Sequence, residues 1–255
     1  MSGTTATAGF VLLFVASLWA GIQNALAGGG SFVTLPALIL TGMDARAANI
    51  TSCIALFPGQ VATGWTVRGE ASGAAQLSLR TLIIISVIGG ALGALLLLVT
   101  PATFFAQLVP WLVLFATAVF AWGSFARHHT RAAPLHRLGA AAAHGAISVY
   151  GGYFGGGIGF LMLAVFTAAR LTIHRAAATK NVLAAVMNTS AVAILVFSPA
   201  VRWPQAVVSA GGAILGGIIG GHLLRRVNER ALRALVVLIG AALTVGLFLR
   251  APGGH

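Results

Sequence analysis

Ten apolar runs fill this chain from end to end, separated only by short breaks rich in glycine, proline or arginine. They fall at about 8–27, 29–41, 47–67, 79–99, 104–123, 138–153, 156–171, 176–198, 205–224 and 230–249. Between them lies no polar block able to cover a water-soluble surface, which needs about a quarter of its residues charged. Here the share is 7%, and only three residues are acidic: Asp44, Glu70 and Glu229. A disordered chain is excluded as well, because such chains are poor in apolar residues and this one is 58% hydrophobic. The pattern specifies an all-α, polytopic transmembrane helical bundle, with the lipid bilayer as its solvent.

The formal net charge is +12. In a soluble domain that would point to nucleic acid, but these arginines sit in the breaks between apolar runs, where charge sets topology. Nucleic acid is therefore not an expected partner. Cys53 is the only cysteine, so neither an intrachain disulfide nor a cysteine metal cluster is available. The first 27 residues lack the basic start of a secretory signal and read as the first span.

A full crossing takes roughly 20 residues. The second, sixth and seventh runs are short, so each is tilted, broken or re-entrant. Ten crossings with the N-terminus outside place Arg68, Arg80, Arg127, Arg131, Arg137, Arg170, Arg175, Lys180, Arg225, Arg226, Arg230 and Arg233 inside, and only Arg46, Arg202 and Arg250 outside. Positive-inside bias favours that arrangement over eight spans with two re-entrant pieces.

The chain also matches itself. Gly28, Gly29 and Gly30 align with Gly155, Gly156 and Gly157 at an offset of 127. At the same offset, Gly89, Gly90 and Gly93 align with Gly216, Gly217 and Gly220. Residues 48–52 resemble 176–180 with a slip of one. The expected organisation is a first repeat over 1–126, a basic cytoplasmic linker over 127–137 and a second repeat over 138–255. With five segments in each half, an odd number, the second enters the membrane upside down. Inverted repeats are typical of secondary transporters, whose sites lie where the repeats meet, beside short, glycine-interrupted segments. Those segments here are 28–41 and 155–171.

GGGSFVTLPALILTGMDARAANITS, followed half a chain later by GGYFGGGIGFLMLAVFTAARLTIHRAAATKN, resembles the TauE/SafE family of sulfite exporters over essentially the whole chain. The resemblance implies a bacterial inner-membrane exporter of sulfite, sulfonates such as sulfoacetate, or related small organic anions. It says nothing about Asp44 and Arg46, where members vary.

The glycine triplets allow sharp turns and close approach. A helix opening just after one presents unpaired N–H groups and a positive dipole end, a ready anion site; close helix packing is the competing reading. For the six glycines of the second match, packing is expected. Polar residues flank the triplets: Asn24 and Ser31 at the first, Tyr153 at the second, with Thr51 and Ser52 opening the third helix and Thr179, Lys180 and Asn181 the eighth. Polar groups inside a membrane are costly and tend to be functional, although a hydroxyl also satisfies itself on its own helix. Lys180, the only lysine, suits either an anion's oxygens or a topology charge. His144 and His222 lie within spans, as neutral cross-helix partners or as proton-coupling candidates.

No span interior holds a carboxylate, which disfavours cation transport and carboxylate proton relays. An anion exporter working by alternating access fits best, and an anion channel using the same helix ends is the alternative. An intramembrane enzyme is disfavoured: there is no HExxH and no GxSxG nucleophile elbow. No cofactor and no metal are expected. The partners are a small anionic substrate and lipid, with a homo-oligomer left open.

Overall fold

The computed structural model describes residues 3–26, 29–125, 136–223 and 229–250. Within them the chain forms ten α-helices and no strands: α1 (Gly3–Leu26), α2 (Ser31–Leu40), α3 (Ala45–Thr66), α4 (Leu79–Val99), α5 (Ala102–Phe125), α6 (Arg137–Tyr153), α7 (Ile158–Ala168), α8 (Ile173–Leu195), α9 (Trp203–Leu223) and α10 (Glu229–Arg250), with a 3-10 turn at Arg68–Glu70. Five of these, α1, α4, α5, α8 and α9, carry stretches long and apolar enough to cross a membrane. Large apolar side chains such as Ile84, Ile88, Leu92 and Leu96 point outward along α4, as the hydrocarbon of a bilayer requires. The all-α polytopic reading is thus met. Most of the predicted linker, 127–137, lies outside the described residues.

Local signals set the helix starts. Asp44 and Ser78 accept hydrogen bonds from the N–H groups of Ala47 (2.9 Å) and Thr81 (3.1 Å), and Thr172 from that of Arg175 (3.4 Å). Such caps satisfy donors that have no carbonyl inside the helix. The two shortest helices follow the glycine-rich breaks. At about 1.5 Å per residue, α2 and α7 are each roughly half of a 30 Å hydrocarbon core. Even so, α2 runs back along α1. Gly30 packs on the Ala20 carbonyl and Thr41 lies beside Gly9, so the glycine loop and α2 together retrace most of α1.

Packing follows a reciprocal scheme. α1 lies on α9 as α6 lies on α4, and α3 touches α9 as α8 touches α4. Glycine creates both of the first contacts. Gly216 approaches the backbone N of Ile22, and Gly89 approaches that of Val149, two positions separated by the same offset of 127. A Cβ at Gly93 or Gly216 would collide with the carbonyl of Val149 or Leu18. Gly217 is different, because a Cβ there would meet open space.

α3 runs antiparallel to α8, and α5 to α10. In the α3–α8 pair, the Asn188 side-chain amide donates to Gln60, and Gly64 near the end of α3 faces Asn181 and Ala185 near the start of α8. In the α5–α10 pair, Trp111 stacks edge-on with Phe248 at 5.1 Å while Thr117 meets Gly240. Two hydrogen-bonded latches close the ends of the α3–α8 pair. The Arg202 N–H donates to Thr51 Oγ1 (3.3 Å), and the Ser72 N–H donates to Thr179 Oγ1 (3.0 Å).

These contacts define two ends of the bundle. At one, Arg46 donates to the carbonyls of Leu98 (3.3 Å) and Thr100 (2.8 Å), and Arg202 lies close by. At the other, His174 lies 3.3 Å from Glu70, next to the starts of α4, α6 and α8. Among arginines with described side chains, Arg68, Arg80, Arg137, Arg170 and Arg175 belong to this second end.

Candidate substrate-binding site

Both glycine breaks open onto one cleft. It is lined by Asn24 at the end of α1, Gly29 and Ser31 at the start of α2, Gln60 and Thr63 on α3, Gly155, Gly157, Ile158 and Gly159 at the start of α7, and Lys180, Asn181 and Ala184 on α8. Its volume is about 50 Å³, enough for a few waters or one small polyatomic ion in their place.

The loops are shaped by backbone that favours glycine. Gly29, Gly155 and Gly157 have φ of +82°, +79° and +75°, the left-handed region from which a Cβ is largely excluded. The end of α1 pins the first loop: Gln23 Nε2 donates to the Gly29 carbonyl (2.9 Å), and Asn24 Oδ1 accepts from the Gly30 N–H (3.5 Å). Asn49 steadies the second loop, donating from Nδ2 to the Tyr153 carbonyl (3.1 Å). Each loop delivers the chain into a helix whose first residues, Ser31 and Ile158, face the cleft. Two positive dipole ends therefore converge there.

Lys180 supplies the only full charge among the lining residues. Its Nζ lies beside Gly159, 3.5 Å from where a Cβ there would stand. Among the described side chains, neither Asp44 nor Glu70 lines the cleft. Asp44 caps α3, Glu70 meets His174, and Glu229 opens α10. On α3, Gln60 is held by Asn188, and Thr63 donates to the Gly59 carbonyl (2.8 Å). The lining is thus a set of neutral amides and hydroxyls around one cation, with Ala184 and Ile158 as apolar wall. It can hold an anion and offers a cation nothing but neutral oxygens.

Of the residues singled out in the sequence, Asn24, Gly29, Ser31, Gly155, Gly157, Lys180 and Asn181 line this cleft. Others are placed beside it with different partners. Gly30 packs on α1, and Gly156 lies against the Phe154 ring. Tyr153 is buried edge-on to Phe105 at 5.6 Å. Ser52 Oγ is 2.5 Å from Thr34 Oγ1, while Thr51 and Thr179 form the latches already described. His144 is 0% exposed, with Nε2 2.9 Å from Ser86 Oγ and 3.3 Å from the Leu82 carbonyl. Gly28 and the His222 side chain lie outside the described residues.

Gln60, Thr63 and Gly159 complete the cleft although the sequence reading passed over them as ligand groups. Gln60 and Thr63 carried a signal: two polar side chains one turn apart in an apolar run share one helix face.

Long apolar helices around a small polar cleft define a multi-pass integral membrane transporter, and sequence relatives agree. The family model described as "Sulfite exporter TauE/SafE" matches residues 13–247. The chain belongs to the TauE/SafE sulfite exporter family. It is 28% identical over 246 residues to the probable membrane transporter protein YfcA of Escherichia coli, covering 95% of this chain and 90% of that one. It is 27% identical over 239 residues to a probable membrane transporter protein of Haemophilus influenzae, covering 91% and 92%. A probable membrane transporter protein of a Sinorhizobium species is 27% identical over 241 residues, covering 92% and 90%. No solved structure matches the chain significantly.

Proposed function

We propose that this protein exports a small sulfur oxyanion or sulfonate, of the sulfite or sulfoacetate kind, across a bacterial inner membrane by alternating access between two inverted repeats. The observation that carries the reading is the meeting of both glycine loops at Lys180 in a cleft whose described lining holds no carboxylate. A compact ammonium binds sulfonate oxygens as a point charge, and helix N-termini add oriented N–H groups at no reorganisation cost.

Support for the repeats comes from reciprocal packing, from the antiparallel run of α3 with α8 and α5 with α10, and from the exchanged latches at Thr51 and Thr179. Gln60 and Asn188, which pair with each other, are also counterparts at the offset of 128 that relates α3 to α8. Residues meeting their own counterparts are what a two-fold axis between the halves requires. The end bearing Arg68, Arg80, Arg137, Arg170 and Arg175 is the cytoplasmic one by positive-inside bias. An inside-negative potential then assists efflux by roughly 2.3 kcal/mol per charge per 100 mV.

A carrier is favoured over a channel because Phe32, Thr34 and Ser52 are buried and the last two are tied by a hydrogen bond. The test is counterflow in proteoliposomes with labelled sulfite and sulfoacetate. Saturable exchange that falls at least tenfold in Lys180→Ala is expected. Exchange unaffected by that substitution would refute the assignment of the cleft.

A further inference from the structure

The proposed two-fold relation gives several residues of the cleft counterparts outside it, towards the Arg46 end. Lys180 corresponds to Ser52, Asn181 to Cys53 and Gly159 to Phe32. Of those counterparts, Phe32 and Ser52 are buried and Cys53 is partly buried. Phe32 is 2% exposed, with its ring against Gly29. The Ser52 and Thr34 hydroxyls meet at 2.5 Å and tie α3 to α2. Cys53 Sγ lies 3.6 Å from where a Cβ on Gly155 would stand. Next to them, Thr51 holds the N–H of Arg202 and with it the connection into α9.

We propose that the region around Ser52 and Cys53 is the release site for the substrate anion, closed in this state by Phe32 and the Thr34–Ser52 hydrogen bond. The proposal rests on the alternating-access reading above. When a carrier built from two related halves changes face, each half takes up the environment its counterpart had. The Thr34–Ser52 bond then parts, Phe32 swings from Gly29, and Cys53 lines water as Asn181 does now. The two sites differ in chemistry. Ser52 and Thr34 donate hydroxyl hydrogen bonds to an oxyanion, but no cation stands where Lys180 stands in the other half. Neutral hydrogen bonds are roughly half as strong as charge-assisted ones. The same anion is therefore gripped at the cytoplasmic side and let go at the other, as export from a dilute pool requires.

Cys53 is the only cysteine and serves as its own reporter. The full-length protein is reacted with a membrane-impermeant maleimide in right-side-out and in inside-out vesicles. The expected result is labelling of Cys53 from the Arg46 face alone. Labelling should be at least fivefold faster in Thr34→Val, which loses the hydroxyl, and return to the wild-type rate in Thr34→Ser. In parallel, Asn181→Cys combined with Cys53→Ser should label from the Arg68 face and be protected by sulfoacetate. If Cys53 stays inert in both wild type and Thr34→Val while Asn181→Cys remains reactive and protected, the release site is overturned and the cleft stands. Equal labelling of Cys53 from both faces also overturns it. Loss of sulfoacetate protection at Asn181→Cys overturns the cleft reading itself.

Discussion

The cleft at Lys180 and the region at Ser52 occupy corresponding places in the proposed halves. One is a polar cleft; in the other, Phe32, Thr34 and Ser52 are buried. Two exchanges account for the difference. Gly159, which carries no side chain and lies beside Lys180, stands where the other half has Phe32, and Lys180 stands where Ser52 is satisfied by a neighbouring hydroxyl. A shared scaffold thus carries two chemistries, one suited to holding charge and one to excluding it. Whether a glycine-rich break becomes a site depends on the side chains that reach into it, and not on the break.

The largest expected effect comes from making the half with the cleft resemble the other one. Gly159→Phe introduces the side chain of the other half at a helical position where φ is not positive, so the backbone is not strained. Counterflow should fall at least tenfold while the purified protein keeps its helical circular dichroism; undiminished flux would place the pathway elsewhere. Lys180→Ser copies the second difference. Charged hydrogen bonds contribute about 1.5–3 kcal/mol, so anion affinity measured by titration calorimetry should fall at least tenfold, with Lys180→Arg retaining most of it. A smaller effect is expected on the axis. Gln60→Leu removes one donor and leaves Asn188 without its partner, which should weaken binding a few-fold and lower thermal stability by about 1 kcal/mol. Smallest of all, Asp44→Ala and Thr172→Ala remove corresponding caps from α3 and α8. Each should cost about 1 kcal/mol of stability and leave anion affinity unchanged, so that a change in affinity from either would tie the caps to the site.

Much of this was readable from residue order. Apolar runs set the helices, the glycine repeats placed α2 and α7 as short pieces, and the lone lysine beside the second triplet led to the cleft. Other features depend on which way a side chain turns, and spacing does not give that. Thr51 and Thr179 stand out as a matched pair, but they do not line the cleft and instead accept from the backbone N–H groups of Arg202 and Ser72. Tyr153 follows the same logic: its ring is drawn into the apolar core by Phe105, and only its carbonyl serves the loop. Gln60 and Thr63 were missed for the opposite reason, since they stand far along the chain from either triplet and reach the cleft only because α3 and α8 are antiparallel.

The most direct test is thermal unfolding of the purified protein in detergent, titrated with sulfite, sulfoacetate, sulfate and acetate and with sodium or potassium as the only cation. A ligand bound only to the folded state stabilises it by about 2.7 kcal/mol at a hundred times its dissociation constant. The account predicts a saturable rise in midpoint with at least one sulfur oxyanion for the wild type and none for Lys180→Ser. Indifference to every anion, or an equal rise in both proteins, would contradict it.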